Sequence, residues 1–350
     1  MKIGNRNISM GERPYLIAEM SGNHNGSLNR ALEIVDIAAQ SGADAIKLQT
    51  YTAQTMTLDL KTRDFMINDS KSLWNGRQLY ELYQEAHTPW DWHGAIMDRA
   101  AQHGIDCFSS PFDTTAVDFL EALNVPAYKI ASFEIVDIPL IQKVASTGKP
   151  MIISTGMASV ADIAEAVATA KEAGAIDIAL LKCTSTYPAT PENTNLATIS
   201  NMRSTFGCSV GLSDHTHGCG VAIASVALGA CIIEKHFTLS RGDGGVDSEF
   251  SMEPHEFQMM RVECDRAWHA IGGIIYGGTK AEEGSRMFRR SLYIAEDMKS
   301  GDELTPANLR AVRPGFGLPP KFLDTLLGKR VARPLLAGTA VNWSIFLSDD

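Results

Sequence analysis

Cys208-Ser-Val-Gly-Leu-Ser-Asp-His215 and Cys231-Ile-Ile-Glu-Lys-His-Phe237 decide how this chain folds. Each is a short apolar run that ends in a histidine among polar groups. Such runs read as strands, and in a barrel of strand–helix units the C-terminal ends of neighbouring strands converge on one face. A lone histidine at a strand end can simply cap it with a hydrogen bond. Two of them side by side at a barrel mouth point to a metal site, with His215 and His236 as ligands. Glu234 is two residues from His236 and shares its face, so it is a candidate third ligand.

Six more apolar runs precede these two: Tyr15–Met20, Ala45–Thr50, Ile105–Ser110, Ala127–Ser132, Met151–Thr155 and Ile178–Thr184. Amphipathic segments lie between them. Leu28, Ala31, Leu32, Val35, Ala38 and Ala39 recur at helical spacing behind Ser27, a good N-cap. Gly42, Gly104 and Gly174 follow helical runs, as helix-ending glycines should. Eight strand–helix units predict an α/β fold, a (β/α)8 TIM barrel over residues 1–270. A doubly wound open sheet is the alternative. Its Gly-rich nucleotide loop is missing, because Ser21-Gly-Asn-His-Asn-Gly26 does not match it.

Two insertions break the spacing. Tyr51–Pro89 is long and carries Met56, Trp74, Tyr80 and Tyr83; Arg241–Pro254 is rich in Gly and Asp and follows the last strand. Both read as walls or lids of a site. Residues 271–289 hold five glycines and read as a linker. Residues 290–350 form a separate small domain, with strand-like pieces at Ser291–Ala295 and Ala340–Phe346. That tail has eight Lys or Arg against seven Asp or Glu, so it is the less acidic part of a chain of net charge −10.

The acidic balance argues against a nucleic-acid or anionic-membrane surface, which needs a basic stripe. Hydrophobic residues make up 45% of the 350, enough for a large core. The six cysteines form no CxxC pair, and four lie in apolar runs, where a thiol acts as a small hydrophobe. With no apolar leader at Met1-Lys-Ile-Gly-Asn5, these features predict a cytoplasmic protein.

The strand ends carry the chemistry. Glu19, Lys47, Ser109 and Ser110, Lys129 and Ser132, Ser154 and Thr155, Lys182 with Thr184 and Ser185, Asp214 and His215, then Glu234 and His236 close the eight runs in turn. Barrel interiors prefer Val, Ile and Leu. Three lysines and many hydroxyls around two metal-type histidines instead describe a pocket for an anionic, oxygen-rich substrate.

Several stretches resemble the sialic acid synthase family. They are Tyr15-Leu-Ile-Ala-Glu-Met-Ser-Gly-Asn-His-Asn-Gly26, Ala45-Ile-Lys-Leu-Gln-Thr50, Ser109-Ser-Pro-Phe112, Ala127-Tyr-Lys-Ile-Ala-Ser-Phe-Glu134, Ser154-Thr-Gly-Met157 and the two histidine runs. Lys182-Cys-Thr-Ser-Thr-Tyr-Pro188, Gly245-Val-Asp-Ser-Glu-Phe-Ser251 and Arg313-Pro-Gly-Phe-Gly-Leu318 are closer to one branch, the pseudaminic acid synthases.

The resemblance implies condensation of phosphoenolpyruvate with an amino sugar, and a C-terminal antifreeze-like (SAF) domain over 290–350. It implies a divalent ion on His215 and His236, Mn²⁺ foremost, with Mg²⁺ or Co²⁺ as alternatives. Lys47, Ser110, Lys129, Ser132, Ser185 and Ser213 would bind phosphoenolpyruvate. Glu19, Ser154, Tyr187 and Asp247 would face the sugar, and Arg313 would reach it from the tail of a partner in a domain-swapped homodimer. One branch of the family has Asn where Ser185 stands here. On chemical grounds Glu134 or another carboxylate would stabilise positive charge at C2, Glu19 would move a proton at the sugar, and Met20, Phe112, Tyr187 and Phe250 would wall its apolar end.

Other readings stay open on the residues alone. N-acetylneuraminate and legionaminate synthases share these motifs. A Schiff-base aldolase would use Lys129 or Lys182 and no metal. A non-enzymatic ice-binding or sensory module could be built on the tail.

Overall fold

The structure, a computed structural model, describes residues 1–70 and 72–346. The chain divides into two compact units, 1–272 and 273–350. The first is built on a closed parallel barrel of eight strands: β1 (Tyr15–Glu19), β2 (Ala45–Thr50), β3 (Asp106–Pro111), β4 (Tyr128–Ile130), β5 (Met151–Ser154), β6 (Ile178–Cys183), β7 (Ser209–Asp214) and β8 (Ile232–His236). Each lies within two residues of a run expected to be a strand. A two-stranded antiparallel ladder, Lys2–Ile3 with Arg6–Asn7, precedes the barrel.

Alternation divides β1 and β2 between two cores. Leu16 and Ala18 of β1 and Ile46 and Leu48 of β2 face outward, onto Ala31, Ile34, Val35 and Ala38 of the helix Leu28–Gln40. Ile17 and Ala45 fall in a second cluster with Phe108, Ile152 and Leu181. Fully burying a Leu, Ile or Val side chain is worth roughly 1.5–3 kcal/mol, so a one-residue slip of any strand would exchange these faces at great cost. The helix starts at Ser27, whose hydroxyl accepts from the Arg30 N–H at 3.3 Å. It stops before Gly42, at φ +89°, where a side chain would also meet Arg261.

The insertion 51–89 holds two short helices, Ala53–Met56 and Leu79–Ala86, and a bridge between Met66 and Gln78. The barrel unit ends with the helix Pro254–Ile271. No helix among the described residues is long and apolar enough to cross a membrane, and all six cysteines are free.

In the second unit β9 (Ser291–Ile294) pairs antiparallel with β10 (Leu309–Val312). Its own small core gathers Leu292, Ile294, Leu304, Leu309, Leu326, Val331, Val341 and Ile345. The segment 271–289 carries a 3-10 helix, Lys280–Phe288. Ala340–Phe346 departs from expectation. Ala340 makes a single bridge to Tyr293, and Trp343–Phe346 turns into a 3-10 helix. The Asn342 side chain explains the break, because it accepts from the Ser344 N–H at 2.9 Å and competes with a strand ladder.

Candidate active site

Parallel register carries Glu19, Lys47 and His236 to one level: His236 pairs with Glu19, and Glu19 with Lys47. Two cations and two carboxylates meet there, all but fully buried. Lys47 Nζ lies 2.7 Å from Glu19 Oε2 and 3.8 Å from Glu234 Oε2, and donates to Ser110 Oγ at 3.2 Å. Lys129 Nζ lies 3.5 Å from Glu234 Oε1, which accepts from Ser213 Oγ at 3.1 Å.

Buried charges persist only when compensated, and the compensation is unequal. Burial pushes the Glu234 carboxyl up, but Lys129 and Lys47 outweigh it and hold its pKa low. Burial dominates at Glu19 and raises its pKa in spite of Lys47. Two adjacent carboxyls driven apart in this way suit an acid beside an anion.

Glu234 is therefore engaged with the lysines. The third-ligand expectation is corrected: among the described residues no group of three His, Cys, Asp or Glu is placed to hold a metal. Lys182 also departs from the expected ring of three lysines. It is half-buried and donates to the Cys183 carbonyl at 2.7 Å and to Thr184 Oγ1 at 3.2 Å.

The ends of β4 to β6 bring three hydroxyls forward. Ser132 Oγ accepts from the Gly156 N–H at 3.1 Å. A Cβ on Gly156 would collide with Ser185 Oγ and Ser132 Oγ, so this backbone comes close because it has no side chain. Ser154 Oγ is buried without a hydrogen-bond partner. Glu134, on the 3-10 turn Ser132–Val136, has a buried oxygen in the same condition. Unpaired buried polar atoms are costly and call for a ligand.

The two histidine rings stand 5.3 Å apart. His215 Nδ1 donates to the Thr184 carbonyl at 2.9 Å, so Nε2 is the ring nitrogen left for a ligand. His236 Nδ1 is buried and unpartnered, and burial holds the ring's pKa well below its ordinary value. A neutral imidazole is the form that binds a metal. The residues fit a divalent ion held by two imidazoles. Tyr187 and Phe250 pack on this pair, at 4.4 Å from His215 and 4.9 Å from His236 respectively.

Three loops are laced over the mouth. Asp247 accepts from Ser21 Oγ, and burial raises its pKa. Trp74 donates its indole N–H to the Val246 carbonyl at 2.9 Å and lies 6.1 Å from Tyr187. The apolar wall is thus Tyr187 and Phe250 with Trp74. Phe112 packs edge-on to Tyr51 instead, and Met20 lies in the outer strand–helix core. Alternation decides the second case: Glu19 points in, so Met20 points out. Arg313 belongs to the second unit, where it is exposed beside Tyr293 and Arg310.

Sequence reasoning missed Gln49, which donates to Glu19 Oε1 at 3.0 Å. Its spacing of two from Lys47 was the available signal. It also took Cys183 as a plain hydrophobe, but the thiol lies 3.8 Å from Ser185 Oγ and 4.0 Å from His215 Nδ1.

Residues 34–276 match the NeuB family, and residues 289–346 match the SAF domain. The chain is 42% identical to the pseudaminic acid synthase of Campylobacter jejuni subsp. jejuni serotype O:2, over 99% of this chain and all of that one. It is also 42% identical to the pseudaminic acid synthase of Helicobacter pylori, over 94% of this chain and 96% of that one. Among solved structures it is similar to an N-acetylneuraminic acid (sialic acid) synthetase from Leptospira borgpetersenii in complex with citrate. That match has a TM-score of 0.73 and 30% identity, over 81% of this chain and 94% of that one.

Proposed function

The chain belongs to the NeuB family, and from that premise we propose that it condenses phosphoenolpyruvate with 2,4-diacetamido-2,4,6-trideoxy-L-altrose to give pseudaminic acid and phosphate. The observation that carries this reading is the 42% identity to a pseudaminic acid synthase across the whole of both chains.

His215 and His236 would hold a divalent ion, Mn²⁺ foremost. Bound there, the ion would supply Lewis-acid polarisation of the open-chain sugar's aldehyde. The chain's own residues do the rest. Lys47 and Lys129 exchange their internal carboxylate partners for the phosphate and carboxylate of phosphoenolpyruvate. Ser110, Ser132, Ser185 and Ser213 add hydroxyl contacts to those anions. Holding both substrates in line lowers the entropic cost of a two-substrate reaction.

C3 of phosphoenolpyruvate attacks the sugar aldehyde, and the aldehyde oxygen takes up a proton, with Glu19 its source. Positive charge then develops at C2, where Glu134, ionised above about pH 7, supplies a nearby carboxylate. Water adds at C2, its proton is lost, and phosphate departs with C–O cleavage. Ser154, Tyr187 and Asp247 orient the sugar.

Arg313 reaches the sugar of a partner's barrel in a domain-swapped homodimer. The Gly-rich segment supports this reading, and so do the exposed Ile274, Ile275 and Tyr276, which a second chain would cover. The reducing state implied by six free cysteines supports a cytoplasmic site of action.

The test is kcat/KM for the 6-deoxy diacetamido sugar against N-acetylmannosamine, each with phosphoenolpyruvate and Mn²⁺. Tyr187, Phe250 and Trp74 favour a methyl over a hydroxyl at C6, a difference of roughly 10–200-fold for one such group. Equal or better turnover of N-acetylmannosamine would show that the chain serves another branch.

A further inference from the structure

His215 is held on every side. Its ring is tied to the Thr184 carbonyl, and its own carbonyl accepts from the Ala189 N–H at 3.0 Å. The ring of His236 makes no such bond through Nδ1. The spacing of the two rings must therefore be transmitted through the backbones of β7 and β8.

One side chain joins those backbones at the right level. Lys235 precedes His236 and pairs in register with Asp214, which precedes His215. On the face opposite Glu234 and His236, Lys235 Nζ lies 2.9 Å from Asp214 Oδ2, with both side chains 1% exposed or less. The same ammonium donates to the Thr216 carbonyl. Asp214 Oδ1 accepts from the Thr216 N–H at 2.9 Å and from Thr216 Oγ1 at 2.8 Å. Residues 214 and 216 thus clamp His215 from both sides, and Lys235 fastens the clamp to the strand that carries His236. None of these groups faces the substrate pocket, and none takes part in the condensation itself.

We infer that Lys235 and Asp214 are positioning residues that set the spacing of the two histidines and so the affinity for the ion. This rests on the reading of His215 and His236 as its ligands. Lys235→Met alone leaves a buried carboxylate without its counter-ion and is expected to unfold the end of β7. The informative variant is therefore the double D214N/K235M, which removes both charges, keeps the Thr216 turn and cuts the tie between strands. Replacing both members of a buried pair is often tolerated.

Mn²⁺ affinity is measured by isothermal titration and by the EPR signal of the free ion, with melting temperature as the folding control. D214N/K235M should melt near the wild type and bind Mn²⁺ about tenfold more weakly or worse, the usual size of an outer-shell effect. K235R, which keeps the charge and the donors, should bind near the wild-type level. His236→Ala should bind none at the site. Wild-type affinity in folded D214N/K235M, with His236→Ala inactive in binding, would overturn the positioning role alone. Undiminished binding by His236→Ala would overturn the metal reading and this inference together.

Discussion

Glu134 has one buried oxygen without a partner, and burial pushes its pKa up to about 7. Lys129 and Lys47 oppose the rise and Asp137 adds to it. A raised carboxyl favours the folded state only while protonated. Its contribution is complete below the unfolded value near 4.5 and is lost as pH climbs through about 7. A tenfold change in an ionisation constant is worth roughly 1.4 kcal/mol, and residual contact with solvent screens part of it, so the loss is about 1–3 kcal/mol. Glu134→Gln cannot ionise. Its unfolding free energy in urea should therefore exceed the wild type's by that much more at pH 8 than at pH 4. A difference constant from pH 4 to 8 would show that Glu134 is not held in its neutral form.

Strand alternation separates lysines that look equivalent as residues. Lys129 on β4 pairs with Glu234 inside the barrel. Lys182 on β6 is anchored to the carbonyl of Cys183 and the hydroxyl of Thr184. Lys129→Met should cost about 100-fold or more in kcat/KM with phosphoenolpyruvate, since it removes a charge that holds the anion. Lys182→Met should cost less than about threefold, because this half-buried side chain is tied to its own strand end and holds no substrate charge. Steady-state rates at varied phosphoenolpyruvate distinguish them, and an equal loss in both would return Lys182 to the site. The helix Leu28–Gln40, its cap and the run of strand ends were legible because alternation and capping are local rules. The bend at Asn342 was not, since its side chain competed with a ladder that the apolar pattern favoured.

At the scale of the whole molecule the prediction concerns which barrel Arg313 serves. Arg313→Ala and His236→Ala should each be inactive alone. After subunit exchange, half the dimers of an equal mixture contain one chain of each kind. In a swapped dimer one of the two sites then has both an intact metal pair and an intact arginine, so about a quarter of wild-type activity should return. No recovery after verified exchange would leave Arg313 acting within its own chain. The sequence by itself determined the barrel, the small C-terminal domain and the clustering of polar groups at one mouth. Period-two alternation, helix capping and the convergence of parallel strand ends are properties of short stretches, readable without partners. Tertiary structure alone decided the rest. It drew Glu234 to the lysines, turned Met20 into the outer core, and joined Lys235 to Asp214 across two strands. Which buried charge finds which partner depends on register and distance between segments remote in sequence, and burial makes that choice energetically decisive.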